Sequence, residues 1–77
     1  MKIYYRILND LIRNNKGMKL ILRDDSNTLD IYISNNLVLT LKLENRDIES
    51  NSEFIYNSII NLENVTMYIP KIYIKED

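Results

Sequence analysis

The sequence predicts a two-layer α+β domain with an antiparallel three-strand meander, a further C-terminal strand, and two helices packed on one face of the sheet. Apolar residues recur at helical spacing up to residue 15, occupy alternate positions from 18 to 44, and return to helical spacing after residue 52. The 77 residues are 45% apolar and 27% charged, which is typical of one folded domain covering residues 1–77.

The first helix is predicted from Lys2 to about Asn15, with one apolar stripe formed by Ile3, Tyr4, Ile7, Leu8, Leu11 and Ile12. Gly17 is expected to end it, because glycine readily adopts the left-handed conformation that follows a helix. Three strands are predicted at residues 18–23, 29–34 and 37–44, where Leu and Ile alternate with polar residues. Each strand therefore has one apolar face.

The parity of this alternation predicts the two hairpin loops. A four-residue loop at 24–27 places Leu22 opposite Leu29 and keeps both on the apolar face. A two-residue turn at 35–36 would instead place Leu37 on the polar face. We therefore predict a three-residue loop at 34–36, with Ile33 opposite Leu37 and Asn36 in the left-handed conformation.

A second helix is predicted from about Glu53 to Glu63, with Ser52 as its N-terminal cap. Apolar residues alternate again from Val65 to Ile74, but Pro70 interrupts the pattern, so this C-terminal strand is expected to lie at an edge or to bend. Both helices are expected to cover the Leu/Ile face of the sheet.

The composition excludes several classes of chemistry. The chain has no His and no Cys, so it cannot form a Ser-His-Asp triad, a Cys-His pair or a zinc finger. We therefore predict a protein that is not an enzyme, with no catalytic residues, no cofactor and no metal. No stretch is long and apolar enough to span a membrane, and Arg6 and Asp10 interrupt any signal peptide, so we expect a cytoplasmic protein.

Basic residues share one face of the predicted first helix: Lys2, Arg6, Arg13 and Lys16. The chain up to Arg23 carries five excess positive charges, and the remainder carries six excess negative charges. A clustered basic face suits contact with nucleic-acid phosphates, while the alternative is an ordinary solvated face.

The polar face of the meander is predicted to carry Ile21, Tyr32 and Val38 side by side, within a rim that includes Lys19, Arg23, Asp30, Thr40 and Lys42. An apolar centre with a polar rim is typical of an interface. We expect this patch to be buried against a partner or a second copy, and the alternative is an ordinary strand surface.

Acidic residues gather in two predicted regions, Asp24, Asp25 and Asp30 in the first, and Glu44, Asp47, Glu49 and Glu53 in the second. Such carboxylates can occupy positions where a basic partner expects phosphates, or they can simply be solvated. The residues after Asp25 do not match a calcium loop, because the sixth and twelfth positions hold Asp30 and Asn36 instead of Gly and Glu.

Short runs in the first half of the chain resemble the small type II-A anti-CRISPR inhibitors. They are Asn9-Asp10-Leu11-Ile12-Arg13, Lys19-Leu20, Asp25-Ser26-Asn27 and Asn35-Asn36. The resemblance implies a protein that blocks its target nuclease by imitating the DNA beside the protospacer. The chain departs from the family because it lacks the Asp-Gly of the second hairpin and the acidic run after the second helix.

Two functional hypotheses follow. The first is a non-enzymatic phage or mobile-element protein that inhibits a host CRISPR or other defence nuclease complex, which would be a protein or ribonucleoprotein target. It would bind through Asp24, Asp25, Asp30, Asp47, Glu49 and Glu53 or through Tyr32 and Val38. The second is a small homodimeric nucleic-acid-binding or regulatory protein that uses the basic first helix.

Overall fold

The architecture is given by a computed structural model, which describes residues 3–63 and residue 67. It contains α1 (Ile3–Asn14), β1 (Lys19–Leu22), β2 (Thr28–Ile33), β3 (Asn36–Lys42) and α2 (Ser52–Ile60). The strands form one antiparallel sheet in the order β1-β2-β3. The predicted α+β class is confirmed, and the C-terminal strand predicted from Val65 lies outside the described residues apart from Met67.

The core lies between the helices and the apolar face of the sheet, which we call the inner face. The fully buried side chains come from α1, β2 and α2: Leu8, Leu11, Leu29, Ile31, Ile55 and Ile59. Burial of a side chain of this size contributes about 1.5–3 kcal/mol, so these residues provide the main stabilisation of a domain without disulfides. The helical stripe and the strand alternation therefore meet in one apolar cluster.

Gly17 follows α1 with a φ of 78°, as predicted. The second hairpin also requires glycine at this position, because a Cβ atom on residue 17 would lie only 2.9 Å from the Cα atom of Ser34. The peptide N–H of Asn35 donates to the carbonyl oxygen of Gly17 at an N···O distance of 3.4 Å. The end of α1 is thus packed directly against the β2–β3 turn.

The first hairpin has the predicted register, with Leu22 opposite Leu29. The peptide N–H of Arg23 donates to the carbonyl oxygen of Thr28 at 2.9 Å, which leaves residues 24–27 as the loop.

The prediction for the second hairpin is wrong. The turn has two residues, Ser34 and Asn35, and both have positive φ values of 51° and 65°, as a type I′ turn requires. Ile33 therefore pairs with Asn36, and Tyr32 pairs with Leu37. A β-bulge restores the parity further along, because Ile31 pairs with Leu39 and Val38 is the extra residue.

The second helix is shorter than predicted and begins at Ser52 instead of Glu53. Asn51 occupies the N-cap position and makes no side-chain capping bond, so the prediction that Ser52 is the cap is wrong. The hydroxyl of Ser52 instead lies 2.9 Å from the carbonyl oxygen of Ile48 and 2.8 Å from that of Glu49. Ile48 packs against the core from the turn before the helix.

Candidate functional site

Two acidic loops that are distant in the sequence lie together at one end of the sheet. The peptide N–H of Leu43 donates to the carbonyl oxygen of Asn27 at 2.9 Å, and the side-chain amide of Asn27 donates to the carbonyl oxygen of Glu44 at 3.3 Å. These bonds join the 24–27 loop to the connection between β3 and α2. We call this region the acidic end, and its carboxylates are Asp24, Asp25, Glu44, Asp47, Glu49 and Glu53.

Arg46 holds the two loops of the acidic end together. Its guanidinium donates to the carbonyl oxygen of Arg23 at 2.6 Å and also to that of Ser26. Because Arg46 binds the backbone of the first loop, it fixes the loop that carries the exposed side chains of Asp24 and Asp25. The sequence analysis did not identify Arg46. The one feature that could have indicated its role is that it is a single basic residue within an acidic segment.

The second acidic loop is shaped by its own polar side chains. The Oδ1 atom of Asn45 accepts from the peptide N–H of Asp47 and from the amide of Asn51, both at 2.9 Å. One carboxylate oxygen of Asp47 accepts from the peptide N–H of Glu49 at 3.2 Å. Asp47, Glu49 and Glu53 then line an open groove of about 270 Å³ together with Tyr4 and Tyr5.

Asp30 lies apart from these loops, in the middle of β2 on the face of the sheet opposite the core, which we call the outer face. Its two carboxylate oxygens accept from Nε and Nη2 of Arg23 at 3.0 and 3.1 Å. The hydroxyl of Thr40 also donates to Asp30, at 2.9 Å. The carboxylate of Asp30 is therefore bonded to neighbouring side chains of the sheet. The prediction that it belongs with Asp24 and Asp25 in an acidic loop is wrong.

This network shifts the titration of both charged groups. The hydrogen bonds from Arg23 hold the pKa of Asp30 below its usual value. Desolvation of the carboxylate acts to raise this pKa, and the hydrogen bond from Thr40 acts to lower it further. The same carboxylate raises the pKa of Arg23. Both groups are charged at neutral pH, so the pair is a fixed feature of the outer face.

The apolar patch of the outer face differs from the prediction by one residue. Lys19, Tyr32 and Leu37 form one row across the three strands, and Ile21 lies two residues from Lys19 on β1. Ile21 is 48% exposed and Leu37 is 53% exposed. Val38 was predicted in this patch, but as the bulge residue it packs against the core, and Leu37 takes its place.

The predicted basic face of α1 is solvent-exposed at Arg6 and Arg13, Lys16 is exposed in the turn after the helix, and Lys2 lies outside the described residues. Arg13 lies 3.5 Å from the carboxylate of Asp10, and both side chains remain largely exposed. An exposed pair of this kind contributes little to stability. The basic face therefore has three exposed cations, one of them next to an acid.

A second groove was not predicted from the sequence. It has a volume of about 660 Å³ and lies between the end of β3 and α2, where Lys42, Glu44, Phe54, Asn57 and Asn61 line it. Phe54 is 49% exposed, although an aromatic residue in a helix of high apolar content is normally expected in the core. The short apolar face of α2 is already filled by Ile55, Tyr56 and Ile59.

Within residues 3–63 and residue 67, no three acidic, His or Cys side chains are arranged to hold a metal ion. Neither α1 nor α2 has the length and hydrophobicity needed to cross a bilayer. No protein family, no curated protein and no solved structure matches this chain. Its function must therefore be inferred from its own surfaces.

Proposed function

We propose that the protein is a non-enzymatic inhibitor from a phage or mobile element, and that it binds a host CRISPR or other defence nuclease complex through its acidic end. The observation that carries this proposal is the junction of the two acidic loops, where Arg46 ties the backbone of residues 24–27 to the β3–α2 connection. The small size of the chain and its lack of His and Cys support a binding role.

The physical basis is competition for a cationic groove. A nuclease binds nucleic acid mainly through Lys and Arg side chains that neutralise phosphates. Carboxylates held on a fixed surface can pair with the same cations and exclude the nucleic acid. Asp24, Asp25 and Glu53 are exposed carboxylates that suit this role, whereas Asp30 is not available because Arg23 and Thr40 occupy its oxygens.

The test is an in vitro DNA-cleavage assay with a purified type II-A nuclease and its guide RNA. We expect the wild-type protein to inhibit cleavage and a variant with Asp24→Asn, Asp25→Asn and Glu53→Gln to lose most of this inhibition. A control variant combines Asp10→Asn and Glu63→Gln, which neutralise two acids that do not belong to the acidic end, and its match in charge is the double variant Asp24→Asn/Asp25→Asn. Equal activity of the neutralised variant and the wild type, or no inhibition of any such nuclease, would reject the proposal.

The alternative function is a small homodimeric nucleic-acid-binding or regulatory protein that uses the basic face of α1. The exposure of Arg6 and Arg13 on that helix, and of Lys16 just after its end, favours it. It predicts a salt-sensitive gel shift of DNA or RNA by the free protein, because each neutralised phosphate steepens the salt dependence by roughly one power. A shift that is lost in Arg6→Ala/Arg13→Ala would replace the inhibitor proposal.

A further inference from the structure

The outer face of the sheet has a charge opposite to that of the whole chain. Lys19, Arg23 and Lys42 lie on or beside this face, because their positions alternate with the inner-face residues of β1 and β3. Asp30 is the acid within the three strands on this face, and it is neutralised by Arg23, while Glu44 follows two residues after Lys42, just beyond the end of β3. The outer face is therefore positive, although the chain has a net charge of -1.

The centre of this positive face is apolar. Ile21 and Leu37 are about half exposed, and Tyr32 lies between them in the register of the sheet. Lys19, Ile21, Tyr32 and Asn35 line a shallow depression of about 190 Å³. An apolar centre with a rim of one charge sign resembles half of a complementary interface.

We propose that the outer face is a second interaction surface, and that it binds a protein whose apolar contact residues are bordered by carboxylates. Lys19 and Lys42 would pair with acids of this partner, while Ile21, Tyr32 and Leu37 would be covered by its apolar side chains. This surface meets the acidic end at Arg23, whose carbonyl oxygen accepts from Arg46, but the proposal does not rest on the proposed inhibition of a nuclease.

Arg23 is the side chain best prepared for such a contact. Asp30 accepts from two of its nitrogen atoms and so fixes the plane of the guanidinium, while the side chain remains 52% exposed. A guanidinium carries five N–H donors, and Asp30 accepts only two of them. A partner carboxylate can therefore meet a side chain that has already lost its rotational freedom, which lowers the entropic cost of binding.

Two other occupants fit this face less well. Single-stranded nucleic acid binds such sheets by stacking bases on aromatic rings, but Tyr32 is the sole aromatic residue of the three strands. A second copy packed face to face would bring the positive rims into contact with each other, which like-charge repulsion disfavours. The aliphatic centre and the positive rim together favour an acidic protein partner.

The proposal can be tested with two designed helical peptides and amide chemical shifts of the full chain. Both peptides carry one Leu stripe, which is flanked by Glu in the first and by Lys in the second. We expect the Glu peptide to shift the resonances of Ile21, Tyr32 and Leu37, and the Lys peptide to bind at least about tenfold more weakly. Lys19→Glu should weaken binding of the Glu peptide by about tenfold or more, whereas Arg6→Glu on α1 should leave it unchanged.

Several results would overturn the proposal. They are failure of the Glu peptide to bind, equal binding of both peptides, shifts of the same resonances by a single-stranded oligonucleotide, or shifts that depend on protein concentration alone. Leu37→Ser, at an exposed position, provides a second binding-deficient variant whose fold can be checked by circular dichroism. Neutralising Asp47 and Glu53, in the groove beside Tyr4 and Tyr5, should leave the affinity for the Glu peptide within about twofold, which distinguishes this surface from the acidic end.

A thiol-labelling experiment checks that the face is open in the full chain. The protein has no cysteine, so Leu37→Cys introduces a single thiol. We expect this thiol to react rapidly in the folded protein and that of a Leu41→Cys control to be protected, since Leu41 is 8% exposed. Protection of both thiols would mean that the chain itself covers the outer face, and the proposal would fail.

Discussion

The two faces of the sheet are formed by the same three strands, but their side chains are buried to different extents and by different kinds of contact. On the inner face, Leu29 and Ile31 are completely buried because a second layer of helices covers them. On the outer face, Asp30 is only 9% exposed, and the side chains of Arg23 and Thr40 that bond to it help to cover it. Burial on the inner face thus comes from apolar packing, whereas on the outer face specific polar contacts cover Asp30 and the side chains of Ile21 and Leu37 stay about half exposed.

The difference matters because the two kinds of burial tolerate change differently. Apolar packing depends on volume, and neighbouring side chains can adjust to part of a change. A polar network depends on every partner, because removal of one leaves another without its hydrogen bonds. We therefore expect the inner face to determine how stable the fold is and the outer face to determine what it recognises.

The largest effect is expected from Ile31→Ala on the inner face. This change removes a fully buried side chain from the central strand and should lower the free energy of unfolding by about 2–5 kcal/mol. Urea denaturation followed by circular dichroism measures it. The matched change Tyr32→Ala, one residue away on the outer face, should cost less than half as much. Similar losses from both would show that the outer face is also part of a packed core.

A smaller loss of stability is expected from Asp30→Asn, which keeps the shape of the side chain but removes its charge. The pKa of Asp30 is lowered in the folded protein, so its contribution is present above the ordinary pKa of about 3.9 and is lost as the pH falls through the folded value. The difference in unfolding free energy between wild type and variant should therefore shrink below about pH 4. Denaturation curves from pH 7 to pH 2 test this, and a constant difference would contradict the role of the ion pair.

The alternation of Leu and Ile was sufficient to predict the inner face of β1 and β2, the first hairpin and its register, because each depends on local parity. The second hairpin could not be predicted in this way. Its turn uses Ser34 in a left-handed conformation that serine rarely adopts, and the bulge at Val38 has no marker in the residue type. A close approach of Gly17 to the turn accompanies this geometry, and that contact is invisible in the sequence.

The candidate surfaces were predictable to a similar extent. Alternation correctly predicts Lys19, Ile21, Asp30 and Tyr32 on the outer face. It predicts Val38 there instead of Leu37, because the bulge that reverses the two residues is not visible in the sequence. The hydrogen bonds of Asp30 with Arg23 and Thr40 depend on side-chain conformations, which cannot be predicted from the spacing of residues in the sequence. The meeting of the two acidic loops depends on bonds between residues far apart in the sequence, those of Arg46 to the first loop and those between Asn27 and the residues after β3.

A moderate effect is expected from deletion of Val38, the residue that returns β3 to the inner-face register. Without it, Leu37 and Leu39 would follow each other directly and the ladder opposite Tyr32 and Ile31 would be regular. The protein should keep its fold and lose about 1 kcal/mol, because a half-buried apolar side chain is removed. Urea denaturation gives the loss, and cross-strand contacts between Tyr32 and Leu37 in NMR spectra report the register. Collapse of the fold would show that β3 has no bulge at this position.

The smallest effect is expected in the turn that sets the register of β3. Asn35 has a φ of 65°, a conformation that glycine adopts without a steric penalty, so Asn35→Gly should raise the stability by about 0.5 kcal/mol. Asn36 is the matched control, because it is the first residue of β3 and its side-chain amide donates to the carbonyl oxygen of Ser34 at 3.3 Å. Asn36→Gly should therefore lower the stability, since glycine weakens a strand and removes this bond. Thermal and urea denaturation of the two variants separate the possibilities, because a three-residue loop with Asn36 left-handed requires the opposite order. That opposite order would return Leu37 to the inner face and remove the apolar centre of the outer face.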